Sequence, residues 1–222
     1  MSPLPITLAP MLDLILPIEC GGCGAPSTRW CDDCADELAL SVDAPRVVTP
    51  RVDPGVPVFA LGRYAGARRR AIVAMKDRGR SDLSKPLAHT LAEGVHRLLT
   101  WGLLDVPLTI VPAPTRGWSA RQRGGDPVTR MATLASAGHP RITVVRALRM
   151  KPWARDSAGL NSAARERNIA GRVLLTRRRP PAGGELLLVD DIVTTGATAR
   201  ESVRVLQAAG ARVSAVLALA AA

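Results

Sequence analysis

The stretch "LLLVDDIVTTGAT", residues 186–198, constrains the fold of this 222-residue chain more than any other part of the sequence. Its first four residues form a continuous apolar run, which is typical of a strand buried on both faces. Two adjacent acids, Asp190 and Asp191, then precede a hydroxyl-rich loop in which Gly196 permits a tight turn. The following "ATARESVRVLQAAG" has apolar residues at helical spacing and ends at a glycine. The stretch therefore predicts a strand, an acidic pair, a loop and a helix, in that order.

Strands and helices also alternate along the rest of the chain. Beyond the opening stretch, the patterns predict a strand from residue 58 with a basic helix running toward Lys76, an amphipathic helix over 82–101, a strand over 106–114, a helix over 127–137, a strand over 141–148, a polar connection over 149–171 and a last strand over 211–220. This alternation favours a mostly parallel, doubly wound α/β sheet. Ligands of such sheets bind at the carboxyl ends of the strands.

The four cysteines lie within fifteen residues, as "CGGC" at Cys20 and Cys23 and "CDDC" at Cys31 and Cys34. Two Cys-x-x-Cys pairs can supply the four thiolates of a tetrahedral zinc site, and four thiolates leave no open position for catalytic water. The spacing therefore predicts a structural zinc knuckle. A thioredoxin-like redox pair and structural disulfides are the competing interpretations. We assign residues 1–55 to an N-terminal segment carrying the knuckle and residues 56–222 to the α/β domain.

The formal net charge of +11 is unevenly distributed. Residues 1–60 hold 3 basic and 8 acidic residues, whereas residues 61–222 hold 27 basic and 11 acidic residues, a balance of +16. Such a domain attracts polyanions, which include phosphate-rich small molecules and nucleic acid. A solvated, arginine-rich surface without a ligand would give the same balance.

The N-terminal residues 1–20 are apolar but have no basic region and are interrupted by prolines and Asp13, which argues against a signal peptide. No uncharged apolar run reaches the length of about 18 residues that a membrane span needs. The sequence therefore predicts a cytoplasmic protein without membrane insertion.

The loop that follows the acids has the composition of a monophosphate-binding turn. Thr194, Thr195, Gly196, Ala197 and Thr198 offer hydroxyls and backbone N–H groups at the start of a helix. The neighbouring acids would repel a phosphate, unless they face vicinal hydroxyls or a magnesium ion a short distance away. A sugar phosphate meets both requirements. The Walker and dinucleotide-binding glycine motifs are absent, and a helix-capping turn would account for only one acid and one threonine.

The stretch resembles the 5-phosphoribosyl-1-pyrophosphate (PRPP) binding motif of type I phosphoribosyltransferases. The paired cysteines, "RYAGARRRAIVAMKDRG", "VPAPTRGWSARQRG", "RERN" and the C-terminal motif also occur in the order of the ComF competence-protein family. The resemblance covers nearly all of the chain. It implies a type I phosphoribosyltransferase-like fold over 56–222. It also implies PRPP as ligand, with magnesium, and a link to DNA uptake.

Transferred by position, the resemblance implies a role for each part of the motif. Asp190 and Asp191 would hold the ribose hydroxyls and act in catalysis, and residues 194–198 would hold the 5-phosphate. The loop that contains Thr115 and Arg116 corresponds to the pyrophosphate-binding loop. The connection over 149–168 matches the family's flexible loop, with Arg165 and Asn168 in its R-x-x-N positions. The family commonly has R-G-F-N-Q where this chain has "RGGDP" at 123–127.

Two functions follow from these patterns. In the first, PRPP transfers its ribose 5-phosphate to an unidentified nitrogen acceptor with release of pyrophosphate, whose charge Lys76, Arg116 and Arg123 would neutralise. In the second, the protein senses PRPP without catalysis and associates with single-stranded DNA or the competence machinery. Trp118 and Trp153, in basic loops, are the candidates for base stacking. The three histidines lie in contexts unlike a catalytic dyad, so no general base is assigned.

Overall fold

The computed structural model of the protein describes residues 18–115, 126–151, 169, 171–181 and 184–222. In these ranges the chain forms a mixed α/β structure. The helices are α1 (Asp32–Leu38), α2 (Gly66–Asp77), α3 (Ser84–Thr100), α4 (Pro127–Ser136) and α5 (Ala197–Ala208), with a 3-10 turn at Ser81–Leu83. The strands are β1 (Arg46–Val47), β2 (Val58–Ala60), β3 (Leu108–Pro112), β4 (Ile142–Val144), β5 (Leu148–Met150), β6 (Val173–Leu175), β7 (Glu185–Val193) and β8 (Arg212–Ala221).

Six of these strands form one sheet in the order β1-β2-β8-β7-β3-β4. All neighbouring pairs are parallel except β1 with β2, which are antiparallel and lie at one edge. The prediction of a mostly parallel sheet is therefore confirmed. Strand β7 lies inside the sheet between β3 and β8, where an unbroken apolar run is expected because both faces are covered.

The two faces of β7 belong to different hydrophobic cores. Leu187 and Val189 pack in a core with residues of α2, α3 and α4. Leu186 and Leu188 pack in a second core with residues of α5. Alternate residues of a strand point to opposite faces, so helices on both sides of the sheet account for the continuous run. The amphipathic pattern predicts one apolar face on α3, and this is confirmed: Leu87, Leu91, Val95 and Leu98 are buried, and the half-buried Leu99 packs against the same core.

The prediction of one strand over 141–148 is wrong. β4 ends at Val144, the chain turns at the fully buried Ala147, and β5 pairs antiparallel with β6 in a separate two-stranded sheet. Strand β6 lies just beyond the predicted polar connection and has no counterpart in the sequence prediction, because three residues between Arg172 and Thr176 carry little periodic signal. Most of that connection lies outside the described residues. No helix in the described ranges is long and apolar enough to cross a membrane.

Candidate functional site

The acidic pair lies where β7 extends beyond its neighbour β3. The pairing of β3 with β7 ends at Pro112 and Val189, whereas β7 continues beside β8 through Asp190, which is opposite Ala218, to Val193. The strand thus extends four residues beyond the end of the apolar run that predicted it. Both acids consequently lie at the carboxyl end of β3, at the edge of the sheet where ligands of parallel α/β proteins bind.

The two carboxylates have different surroundings. Asp191 is 3% exposed, and Lys76 Nζ of α2 lies 2.8 Å from its Oδ2 atom. The Lys76 ammonium lies within hydrogen-bond distance of this buried oxygen, which makes no other hydrogen bond among the described residues. The contact is therefore an ion pair that leaves hydrogen-bonding capacity at Oδ2.

Asp190 is half-buried, and its Oδ1 accepts a hydrogen bond of 2.8 Å from the backbone N–H of Asp191. Burial and the adjacent Asp191 charge raise the pKa of Asp190 well above its ordinary value. Burial also lowers the pKa of Lys76, but the charges of Asp191 and Asp190 outweigh it, so the net shift of the Lys76 pKa is upward. The site therefore combines a paired carboxylate with one that is costly to ionise without a ligand.

The turn after β7 opens directly into α5. Gly196, the N-cap residue of α5, has φ of 85°, the left-handed conformation that favours glycine, and it has no side chain of its own to cap the helix. Thr195 Oγ1 accepts a bond of 3.4 Å from Ala197 N. Thr194 is exposed and Thr198 is half-buried, so both hydroxyls are within reach of solvent. The first amides of a helix have no intrahelical acceptors, and this end of α5 can therefore receive an anion.

A segment that sequence reasoning missed packs on this turn. Val52 N donates a bond of 2.8 Å to Thr195 O, and a Cβ at Gly196 would lie 2.4 Å from Val52 O and 2.7 Å from Pro50 Cβ. The glycine is therefore required by close packing as well as by its φ. Residues 41–57 are rich in Pro and Val, a composition typical of a linker or of an edge of extended chain, and this composition contains no signal for the contact with the turn.

The remaining predicted site residues divide into two groups. Thr115 follows β3 at the same edge of the sheet, and its Oγ1 donates a bond of 3.0 Å to Asp126 Oδ1. Asp126 also accepts from Val128 N and Thr129 Oγ1 at the start of α4, so it is a helix cap. The other group lies outside the described residues, and the roles predicted for its members stay predictions: Arg116, Trp118, Arg123, Trp153, Arg165 and Asn168.

The four cysteines form a compact cluster. The Sγ atoms of Cys20, Cys23, Cys31 and Cys34 all lie within 4.8 Å of one another, and none of them forms a disulfide. Cys31 Sγ is 3.6 Å from the sulfurs of both Cys20 and Cys23. Four thiolates around one zinc ion would be separated by about 3.8 Å, given a Zn–S distance of about 2.3 Å and tetrahedral geometry. The cluster can therefore hold a metal ion, and its geometry is compatible with zinc.

Backbone amides support this arrangement. Gly22 N and Cys31 N each lie 3.4 Å from Cys20 Sγ, and Ala25 N lies 3.4 Å from Cys23 Sγ. Burial opposes ionisation of Cys20, but these and nearby amides lower the pKa of its thiol to about 6. Burial and the neighbouring thiols raise the pKa of Cys34. Because a metal-bound cysteine must be deprotonated, a bound cation would stabilise all four thiolates together.

The comparisons with known proteins include a remote structural likeness. No protein-family model matches the sequence, and no curated protein matches it. Among solved structures, the crystal structure of a hypoxanthine phosphoribosyltransferase from Staphylococcus aureus has a TM-score of 0.37 and 14% identity to this chain. The match covers 60% of this chain and 62% of that one, so the chain spans less than two thirds of that protein's length.

Proposed function

We propose that the protein binds PRPP at the acidic pair and the turn over 194–198, as a phosphoribosyltransferase-like protein of the ComF type. The observation that carries the proposal is the start of α5, where the N-cap residue Gly196 has φ of 85° and no side chain, a few residues after Asp190 and Asp191 at the carboxyl end of β3. A phosphate suits the amides and threonine hydroxyls of the turn, and vicinal ribose hydroxyls suit the carboxylates next to it. One ligand with both groups matches this arrangement.

The two acids would divide the work according to their surroundings. Asp190 is the more accessible carboxylate, so it accepts the first hydrogen bond from a ribose hydroxyl. Hydrogen-bond donation to its ionised form would offset the cost of burial, which raises the pKa of Asp190 in the free protein. Asp191 keeps Lys76 at 2.8 Å and has a free acceptor position at Oδ2 for a second hydroxyl. Binding thus adds a second donor to an oxygen whose one close partner among the described residues is the Lys76 ammonium.

Group transfer is the reaction proposed for this site. The C1–oxygen bond of PRPP breaks, pyrophosphate leaves with the bonding electrons, and a nitrogen acceptor forms the new bond at C1 and releases a proton. Catalysis of this kind depends on placement and charge stabilisation. Lys76, Arg116 and Arg123 are proposed to neutralise the leaving pyrophosphate. Oxygen ligands suit Mg²⁺, and the half-buried Asp190 carboxylate fits that preference; magnesium would supply charge neutralisation for the pyrophosphate.

Calorimetric titration with PRPP and magnesium tests binding, and release of pyrophosphate with a panel of nitrogenous bases tests transfer. We expect saturable binding that Asp190→Asn weakens at least tenfold. Asp105→Asn is a matched control, since Asp105 is an exposed acid that precedes β3 at the opposite edge of the sheet. Absence of binding to folded, metal-loaded protein would refute the proposal, whereas binding without pyrophosphate release would remove only the transfer reaction.

A second candidate function, association with single-stranded DNA, is favoured by the exposed arginines Arg63, Arg69 and Arg70 around the start of α2 and by the exposed run over 177–179. Arg69 also lies 5.8 Å from the centre of the Tyr64 ring, an arrangement that can extend to a stacked base. Retention on single-stranded DNA should then fall steeply with salt. No retention at low salt would exclude this candidate.

A further inference from the structure

Helix α2 contacts both the cysteine cluster and the acidic pair. Near its start, the fully buried Ala67 packs in one small core with Cys20 and Cys34. In its last turn, Lys76 lies 2.8 Å from Asp191. The two positions are nine residues apart, which corresponds to about 14 Å along a helix. A continuous helix therefore spans from the candidate metal centre to the proposed ligand site.

Glu37 joins α1 to the start of α2. Helix α2 has no cap of its own, because its N-cap residue is Ala65. Glu37 Oε1, from the last turn of α1, instead accepts a bond of 2.8 Å from Ala67 N. A Cβ at Gly66 would lie 1.6 Å from that oxygen, so a glycine is needed for the carboxylate to approach. A carboxylate at this end also interacts favourably with the helix dipole.

Residues 19–38, which contain the four cysteines and α1 and are called the knuckle below, hold α2 at further points. Arg70 Nε donates to Gly22 O, within the first Cys-x-x-Cys pair. The buried Arg68 donates to Leu38 O, at the end of α1, over 3.0 Å. Beyond the C-terminal end of α2, Arg80 Nη1 donates to Glu19 O over 3.0 Å. The knuckle therefore contacts α2 near its start and the chain just after its end.

We propose that Glu37 is a positioning residue, through which the metal-loaded knuckle holds α2 and thereby keeps Lys76 against Asp191. The inference extends the proposed function, because it makes occupancy of the cysteine cluster a regulator of the ribose phosphate site. Without metal the four thiols lose their common centre, α1 is no longer fixed, and the Glu37 cap is lost with it. Lys76 then leaves Asp191, and affinity for PRPP falls although no residue of the ligand site has changed.

Hydrogen exchange of the α2 amides and PRPP affinity, both measured on the full chain with its metal content determined, test this link. We expect the Glu37→Ala variant to retain its metal. Its α2 amides should exchange about fivefold faster as far as Lys76, and it should bind PRPP about fivefold more weakly, because the loss of one helix cap has an effect of this size. Glu37→Gln keeps an acceptor for Ala67 N and should restore both values to within twofold. Asp36→Ala, an exposed acid in the same helix, is the matched control.

The outcomes separate this link from the proposed function. Faster exchange confined to the first turn of α2, or wild-type exchange in Glu37→Ala and in metal-depleted protein, would overturn the link. If the metal-loaded Glu37→Ala variant exchanges faster along α2 but binds PRPP with unchanged affinity, the proposal that the cysteine cluster regulates the ribose phosphate site is overturned. If wild-type protein binds no PRPP, the proposed function fails, whereas exchange at Lys76 still decides the link. If Glu37→Ala does not fold, the comparison of metal-loaded with metal-depleted wild type decides.

Discussion

The ion pair between Lys76 and Asp191 should stabilise the fold as well as shape the site. At 2.8 Å, Coulomb's law gives about 6 kcal/mol with an effective dielectric constant of about 20 and about 1.5 kcal/mol in bulk water. The Lys76 side chain is 36% exposed, whereas that of Asp191 is 4% exposed, so screening on one side and desolvation on the other reduce the gain. We expect a coupling energy of about 2 kcal/mol.

A double-mutant cycle measures this energy. Urea unfolding is followed for wild type, Lys76→Met, Asp191→Asn and the double variant. Lys76→Met alone should lower the free energy of unfolding by about 3 kcal/mol, because it leaves a buried carboxylate without its cation. In the double variant much of this loss should be recovered. A coupling energy below about 0.5 kcal/mol would refute the reasoning, since the contact would then be no stronger than an exposed surface pair.

The pH dependence of the cycle provides a second check. The charges of Asp191 and Asp190 outweigh burial and raise the pKa of Lys76 in the folded state. A raised folded pKa means that the stabilisation is complete below the unfolded lysine value of about 10.4 and is lost as the pH rises through the folded value. The coupling energy should therefore be the same at pH 7 and pH 9 and should decrease at higher pH. A decrease between pH 7 and pH 9 would contradict this assignment.

Three further predictions concern the turn, the acidic pair and the cysteines. Gly196→Ala should lower the free energy of unfolding by about 3 kcal/mol, because the added Cβ collides with Val52 O and the φ is unfavourable for alanine. The control Gly210→Ala, at φ of 83° in open space, should lower it by about 1 kcal/mol. Equal costs for the two variants would exclude the collision. Asp190→Asn should raise the free energy of unfolding at pH 7 but not below about pH 3.9, the pKa of an unfolded aspartate. The folded-state pKa of Asp190 is raised, so the wild-type fold loses stability as the pH rises from the unfolded value through the folded one. A variant less stable than wild type at pH 7 would contradict this. Purified protein should contain one zinc ion per chain, and Cys34→Ser should lose the zinc and melt at a lower temperature. Wild-type protein that is folded but free of metal would contradict the zinc site.

Local patterns predicted much of the fold. The continuous run over 186–189 predicted a strand buried on both faces, because apolar side chains at every position can pack into a core on each side of the sheet. This prediction needs no knowledge of distant residues. The spacing of the cysteines likewise predicted a cluster, since each Cys-x-x-Cys pair brings its two sulfurs together within one turn of chain. Such features depend on neighbours a few residues apart, which a sequence pattern records.

The contacts that complete the site join residues far apart in the chain. Lys76 of α2 is paired with Asp191 of β7, Val52 packs on Thr195, and Glu37 caps the start of α2. The sequence around Lys76, one of many basic residues, would be the same whether its side chain were solvated or paired. The same holds for Glu37, an acid in a short helix. Long-range pairing is set by the topology of the folded sheet rather than by local periodicity, and so the sequence could not identify these partners.

A crystal structure of the metal-loaded protein with PRPP and magnesium tests the central claim most directly. The account predicts the 5-phosphate against the backbone amides of residues 195–198 and the ribose hydroxyls within hydrogen-bond distance of Asp190. A phosphate bound elsewhere, with the Asp190 carboxylate free of the sugar, would contradict it.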